Sequence, residues 1–407
     1  MKNIKSIFSK AGIVLAACLS ITAVNAQKAF TVKGNLGKDK QGKIRIHYKD
    51  GDQYITDSTQ VKDGVFILKG KIGDPAFATI ALNPTNPNAW HTSMESKKDD
   101  QVNFYLEEGT TTIQGSEGFT TAVVTGGKAQ KDYAQLMNLY DPINKENKKI
   151  FELGQKYRKE QNDTAIARVR GLDKVVRQKK KDIDSTFIAK NPDSYIAFIT
   201  SFKFELKGKP LDFKKDSERF NHFTKEVHSS NAGKQIAARL ITAKKIDLGM
   251  TAPDFTLNDT IGKPIKLASL RGKYVLVWFW HSGIMGIESQ YFNINKAYKK
   301  IDPAKFVVLG VSYERNSEMK EGNNQESELK EAWKKVIRDN NINGLNVSDF
   351  GGIDMKKNEA VSTTAKAYDL TYNNIPQCVL IDPAGKIVLK AFINNDLLPK
   401  LKKIIGE

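Results

Sequence analysis

Hydrophobic and polar residues change their spacing along the chain, and each change predicts a different architecture. From residue 28 to about 125 the period is two: Ile44, Ile46 and Tyr48 alternate with polar neighbours, and residues 65–68 form an apolar run. Phe77 to Leu82, Val102 to Leu106 and Thr110 to Ile113 read as further strands. Asp50-Gly51, Asp63-Gly64 and Glu108-Gly109 supply turn residues that tolerate positive φ. This region, 28–125, is predicted to be an antiparallel β sandwich or barrel. The Pro and Asn cluster at 83–88 predicts an exposed loop, beside which Trp90 is either a contact residue or a cap on the sheet.

Gly126-Gly127 reads as a linker, and over residues 128–247 the period becomes helical. Leu172, Val176, Ile183 and Phe187 fall on one helical face, with the run Lys179 to Lys181 mostly outside it. Asn191-Pro192-Asp193-Ser194 ends one helix and caps the next, which begins near Tyr195. His222 and His228 lie six apart, off a common face, which argues against a metal site.

Residues 248–407 alternate strand and helix. Tyr274 to Trp280 is an unbroken apolar run of the buried parallel type, followed by a helix from Glu288 to about Ile301, a strand over Phe306 to Ser312 and a helix over Leu329 to Asn340. The segment Asn316 to Ser327, rich in Glu, Asn and Gly, predicts a surface loop. The fold class is thus multi-domain: an N-terminal β sandwich or barrel, a central α-helical segment and a C-terminal α/β domain.

Composition adds location and narrows the partners. Lys2, Lys5 and Lys10 precede an apolar or small stretch at 11–23, and Val24-Asn25-Ala26 before Gln27 suits signal peptidase, so residues 1–26 are predicted to be a signal peptide. In the competing reading Leu15-Ala16-Ala17-Cys18 is a lipobox and Cys18 carries a lipid anchor, but the apolar run then shrinks to residues 11–17. Export to the periplasm or cell envelope without an anchor is the preferred expectation, and no later stretch is long enough for a transmembrane helix. Of the two cysteines only Cys378 would remain after cleavage, so the mature chain could form no internal disulfide. Formal charge is +18; residues 126–250 hold 27 Lys and Arg against 16 Asp and Glu, with few aromatics among them. That pattern suits a solvated face better than a nucleic-acid platform. Walker loops, Gly-x-Ser-x-Gly elbows, His-Glu-x-x-His and zinc-type cysteine spacings do not occur, and no cofactor or metal is expected.

Specific resemblance is confined to 248–407. Gly249-Met250-Thr251-Ala252-Pro253-Asp254-Phe255-Thr256-Leu257, then Gly262-Lys263-Pro264 and Leu270-Arg271-Gly272-Lys273-Tyr274, resemble the entry to the thioredoxin-like and peroxiredoxin superfamily. Asn374-Ile375-Pro376 followed by Val379 to Val388 resembles its cis-proline loop and terminal hairpin. With the preceding segments, the layout is similar to envelope thioredoxin-like proteins (thiol-disulfide oxidoreductases and the alkyl hydroperoxide reductase-thiol specific antioxidant group) that carry an N-terminal β domain of unknown function.

What the resemblance implies about the site turns on substitutions. The two redox cysteines of a Cys-x-x-Cys would stand at Ile284 and Ile287, around Met285-Gly286, and the buried acid of many relatives at Trp278. A thiolate is the nucleophile in disulfide exchange and in peroxide reduction alike, and isoleucine supplies none. Pro376 is kept; either the turn geometry alone needs it or, with Ile375, His281 and Met285, it marks a candidate peptide-binding groove. Cys378 reads by default as a buried packing residue and is a surrogate thiol only if it has a neighbour such as His281, and His281 with Glu288 is the acid-base pair that geometry would have to bring together. The expectation is a non-catalytic envelope protein that binds a peptide or protein partner. The alternative is an oxidoreductase or antioxidant protein working through Cys378 or a partner's thiols.

Overall fold

Alternating burial gives each N-terminal strand one apolar and one polar face, and two such faces close on each other. The computed structural model describes residues 27–51, 53–84, 99–284, 286–314, 325–354 and 357–407. The leader with Cys18, the Trp90 loop, Met285 and most of the 316–327 loop therefore lie outside the described residues. The strands are β1 (Lys28–Asn35), β2 (Gly42–Asp50), β3 (Gln53–Val61), β4 (Val65–Ile72), β5 (Ala76–Leu82), β6 (Asp100–Leu106), β7 (Gly109–Gln114) and β8 (Val123–Thr125). They form two four-stranded sheets, ordered β4-β1-β7-β8 and β3-β2-β5-β6. Phe30, Val32 and Leu68 of the first meet Ile44, Ile46 and Ile80 of the second in one buried core. Neither sheet closes on itself, so the barrel alternative gives way to a sandwich. Asp63 and Gly64 both take positive φ, 51° and 76°, and turn β3 into β4 around a Lys62–Val65 bridge.

Two long helices follow, α1 (Lys128–Lys159) and α2 (Asp163–Lys190), packed as a hairpin. The side chain of Asn162 caps α2 by accepting from Ala165 N at 3.0 Å. Four shorter helices complete the segment: α3 (Tyr195–Ser201), α4 (Phe213–Asn221), α5 (Lys225–His228) and α6 (Asn231–Lys245). Ser194 caps α3 through Ala197 N, where the Asn-Pro-Asp-Ser run places it. Leu136, Tyr140, Phe187, Phe198, Phe202 and Ile236 share the helical core. Val176 and Phe187 are buried as the helical period predicts, but Leu172 is exposed. That far along α2 the burial that remains is against α1, so the apolar stripe outruns the surface available to cover it. His222 and His228 bond the backbone carbonyls of Ile188 and Phe220.

The C-terminal domain is a seven-stranded mixed sheet ordered β10-β9-β13-β12-β11-β16-β17. Its elements in chain order are β9 (Thr256–Asp259), β10 (Pro264–Lys266), β11 (Tyr274–Trp280), α7 (Glu288–Lys300), β12 (Phe306–Ser312), α8 (Gln325–Asp339) and β13 (Leu345–Ser348). A small hairpin, β14 (Ile353–Asp354) with β15 (Glu359–Ala360), precedes α9 (Thr363–Ala367), β16 (Gln377–Ile381), β17 (Ile387–Ala391) and α10 (Leu397–Ile405). The central strand β11 is parallel to β12 and antiparallel to β16. Its residues divide by parity: Val275, Val277 and Phe279 join Tyr368, Leu370 and Ile375 on one face. Leu276, Trp278 and Trp280 face Tyr291 and Ile294 of α7, Trp333 of α8 and Leu401 of α10. A strand buried on both faces is what its unbroken apolar run requires.

Side chains fasten this domain to the helical segment. The Arg239 guanidinium of α6 grips Asp369 in a two-pronged pair, Nε to Oδ1 at 2.9 Å and Nη2 to Oδ2 at 2.6 Å. Asn373 and Asn358 donate to Lys207 O at 2.7 and 3.2 Å, and Thr371 donates to Gly208 O at 3.1 Å. The turn at 207–208 thus lies against the segment that leads into Pro376.

Candidate functional site

The site forms where β11 and β12 end and β16 begins. β11 stops at Trp280, the chain turns through His281 to Ile287, and α7 starts at Glu288. Across from this turn the Ile375–Pro376 peptide bond is cis, as the resemblance implies for Pro376. Ile375 is buried on the Phe279 face of the sheet.

At Ile284 and Ile287, where the resemblance implies two cysteines, the side chains divide between surface and core. Ile284 is partly buried and touches the clusters on both faces of the sheet, whereas Ile287 is 3% exposed and packs with Trp278, Trp280 and Tyr291. Ile287 N donates to Ile284 O at 3.2 Å, so one turn separates them at the start of α7. Trp278, at the place of the acid, is wholly buried and stacks on Trp280 with ring centroids 5.0 Å apart. Tyr291 meets both indoles edge-on at 5.9 and 5.6 Å. The indole Nε1 groups of Trp278 and Trp280 have no hydrogen-bond partner among the described residues.

The other candidates are placed as follows. Cys378 pairs across the ladder with Trp278, is 1% exposed and donates Sγ–H to Ala391 O at 3.4 Å. Burial pushes its thiol up to about 12, so at neutral pH almost no thiolate exists to attack a sulfur. His281 is buried, accepts from Gly283 N through Nδ1 at 3.1 Å and stacks on Tyr372 at 4.9 Å. Burial pulls the imidazole down to about 4, leaving it neutral at pH 7. Glu288 is exposed at the helix start, and no bond joins it to His281, so the acid-base pair is not assembled. Met285 lies outside the described residues.

One group belongs to the site that sequence reasoning missed. Glu314, two residues past the end of β12, is buried and accepts from Ser282 N at 2.7 Å, Ser282 Oγ at 2.6 Å and Ser312 Oγ at 3.1 Å. Desolvation raises its pKa, and the three donated bonds partly oppose that rise. Its work is to hold the β11–α7 turn against the neighbouring strand. A signal was available: a lone glutamate just beyond a buried parallel strand faces the end of the sheet, where sites of open α/β folds collect. Among the described residues no group of three or more His, Cys, Asp or Glu side chains could hold a metal. Chemically the arrangement offers a turn braced by Glu314 beside an aromatic ledge, with no thiol among its described residues.

A parallel β11–β12 core with α7 at the end of its central strand, a cis proline opposite that helix start and an antiparallel β16–β17 hairpin define a thioredoxin-like domain. Residues 248–390 match the model of the AhpC/TSA family, and residues 30–133 match that of a domain of unknown function, DUF4369. The C-terminal domain is thus thioredoxin-like, and the two matches fall on it and on the N-terminal sandwich. A chloroplastic peroxiredoxin Q from Sedum lineare is 35% identical over 69 residues, 17% of this chain. The match spans only 37% of that relative's own length. The thioredoxin domain of a thiol-disulfide oxidoreductase from Bacteroides vulgatus is 27% identical and covers 39% of this chain and 97% of its own, with a TM-score of 0.31. A thiol:disulfide interchange protein from a Bacteroides species is 26% identical and covers 40% and 93%, with a TM-score of 0.32. The chain has only two cysteines, Cys18 and Cys378. Among the described residues no helix is long and apolar enough to cross a membrane.

Proposed function

We propose that the protein is exported to the cell envelope and works there as a non-catalytic thioredoxin-fold binding protein. Its occupant would be a peptide or protein lying along the groove between Pro376 and the His281–Ile287 turn. The observation that carries this reading is the replacement of both reactive positions by Ile284 and Ile287 while the cis-proline loop is retained. An extended segment beside that loop would be recognised by backbone pairing and apolar contact, the mode by which sheet edges take strands. The oxidoreductase alternative through Cys378 loses support from the burial of its thiol.

The test is direct. In an insulin-reduction assay with dithiothreitol the purified chain should not exceed the uncatalysed rate, and native Cys378 should resist thiol labelling until urea unfolds the domain. A photo-crosslinker at Tyr372, which is partly exposed on the groove's edge, should capture a discrete partner in intact envelopes. Turnover of insulin by the unmodified chain, or rapid labelling of folded Cys378, would refute the proposal.

A further inference from the structure

The α1–α2 hairpin extends beyond the core it helps to build. Its contributions to the helical core come from the near end, at Leu136, Tyr140 and Phe187, and further out Ile150, Gly154 and Val176 are the buried positions. Between the helices of this outer part runs an open groove of about 650 Å³. Phe151, Gly154 and Val169 give it an apolar floor, and Lys148, Arg158 and Arg170 stand along its rim. Phe151 is 62% exposed, a large cost in wetted apolar surface for a residue with nothing over it. Gly154, buried and without a side chain, hollows the floor beside Val169.

Charge selects the occupant. None of the three rim cations has an ion pair among the described residues, while the one carboxylate in the lining, Asp173, is held by Arg177. Residues 143–180 carry twelve Lys and Arg against five Asp and Glu, so a second copy of the same hairpin would be repelled. A flat anionic bilayer would meet Phe151 and the ridges of the helices but leave the hollow at Gly154 and Val169 unfilled. A cylinder fits: the groove runs from Asn144 to Arg158, about 21 Å of helix, or roughly four turns.

We propose that this groove receives one amphipathic α-helix of a partner protein, its apolar stripe on Phe151 and Val169 and its Asp or Glu residues paired with Lys148, Arg158 and Arg170. The complex would be a three-helix bundle completed in trans, with the apolar stripe supplying affinity and the charges orientation. This site is separate from the cis-proline groove and does not depend on what that groove binds.

The experiment uses the full chain and a fluorescent 18-residue peptide of Leu, Ala and Glu, with Leu at i, i+3, i+4 and i+7 and Glu flanking the stripe. Fluorescence anisotropy should show saturable binding that weakens as salt rises. Phe151→Ser and the double change Arg158→Glu/Arg170→Glu should each weaken it at least tenfold, with helix content unchanged by circular dichroism because all three side chains are exposed. Lys403→Glu, on the far C-terminal helix, should change it less than twofold. Equal binding of a scrambled peptide of the same composition, no binding of the patterned one, or indifference to the groove variants would overturn the proposal. So would capture of the chain by phosphatidylglycerol vesicles in preference to the peptide with the same variants impaired, which would assign the surface to lipid.

Discussion

Replacing Arg239 by Met should loosen the helical segment from the thioredoxin-like domain, and its cost can be worked from the contacts. The Arg239 side chain is 12% exposed and that of Asp369 13%. Besides the two bonds to Asp369, the guanidinium donates to Lys209 O at 2.9 Å and to Glu205 O. Removing it leaves a buried carboxylate without a cation and takes a donor from two carbonyls, of which Glu205 O keeps Gly208 N at 2.9 Å. Breaking one side of a buried pair costs roughly 3–5 kcal/mol. Removing both charges should cost less, about 1–2 kcal/mol, because no unpaired ion remains. Asn is the replacement to use at 369, since that residue sits at φ 52°, which Asn tolerates and Leu does not. Urea unfolding followed by tryptophan fluorescence reads the event, because Trp278, Trp280 and Trp333 are all buried in the C-terminal domain. Arg239→Met should lower stability by several kcal/mol, and Arg239→Met/Asp369→Asn should recover at least 1 kcal/mol of it. A single variant within 1 kcal/mol of the parent, or a double variant no better than the single, would refute the reasoning.

Three further variants test the site. His281, held neutral by burial, contributes stability that is present above the ordinary imidazole value of 6.5 and is lost as pH falls towards about 4. Glu314, whose pKa is raised, acts oppositely: its contribution is fullest below the ordinary glutamate value of 4.5 and is lost as pH climbs through its higher folded value. His281→Phe should therefore flatten the acid-side loss in urea midpoints measured against pH, and Glu314→Gln should remove the opposing slope. Ile284→Cys/Ile287→Cys should close a disulfide under mild oxidant, detected by mass spectrometry as the loss of two hydrogens, since one turn separates the positions. Its reduced form should be about 1–2 kcal/mol less stable, because Ile287 gives up buried methyl groups.

What the sequence disclosed depended on how local the cause was. β11, α7 and β12 were legible nearly to the residue, because a strand buried on both faces is apolar at every position and the helix after it is bounded by its own amphipathic period. The cap at Ser194 was legible for the same reason. β3 was not: as an edge strand it is largely exposed on both faces, and Gln53–Val61 carries no alternation to find. β1 was also missed. At the site, the resemblance singled out Ile284 and Ile287, but Glu314 binds Ser282 from 32 residues away and Arg239 reaches Asp369 across 130. Pairings at such separations leave no periodic trace. They exist only once the sheet has put two chain ends side by side.

The inner position of β1 sets an order of assembly. It is flanked by β4, antiparallel, and by β7, parallel, whose first paired residue, Gly109, follows Phe30 by most of the sandwich's length. In the other sheet, β3-β2-β5-β6, every pairing is antiparallel and the last strand ends at Leu106, so that sheet can condense before β7 is available. The opening strand must wait, with one ladder unfilled, until the ribosome has released residue 114. A pause in translation before that point would leave its free rim available to a chaperone or to a neighbouring nascent chain.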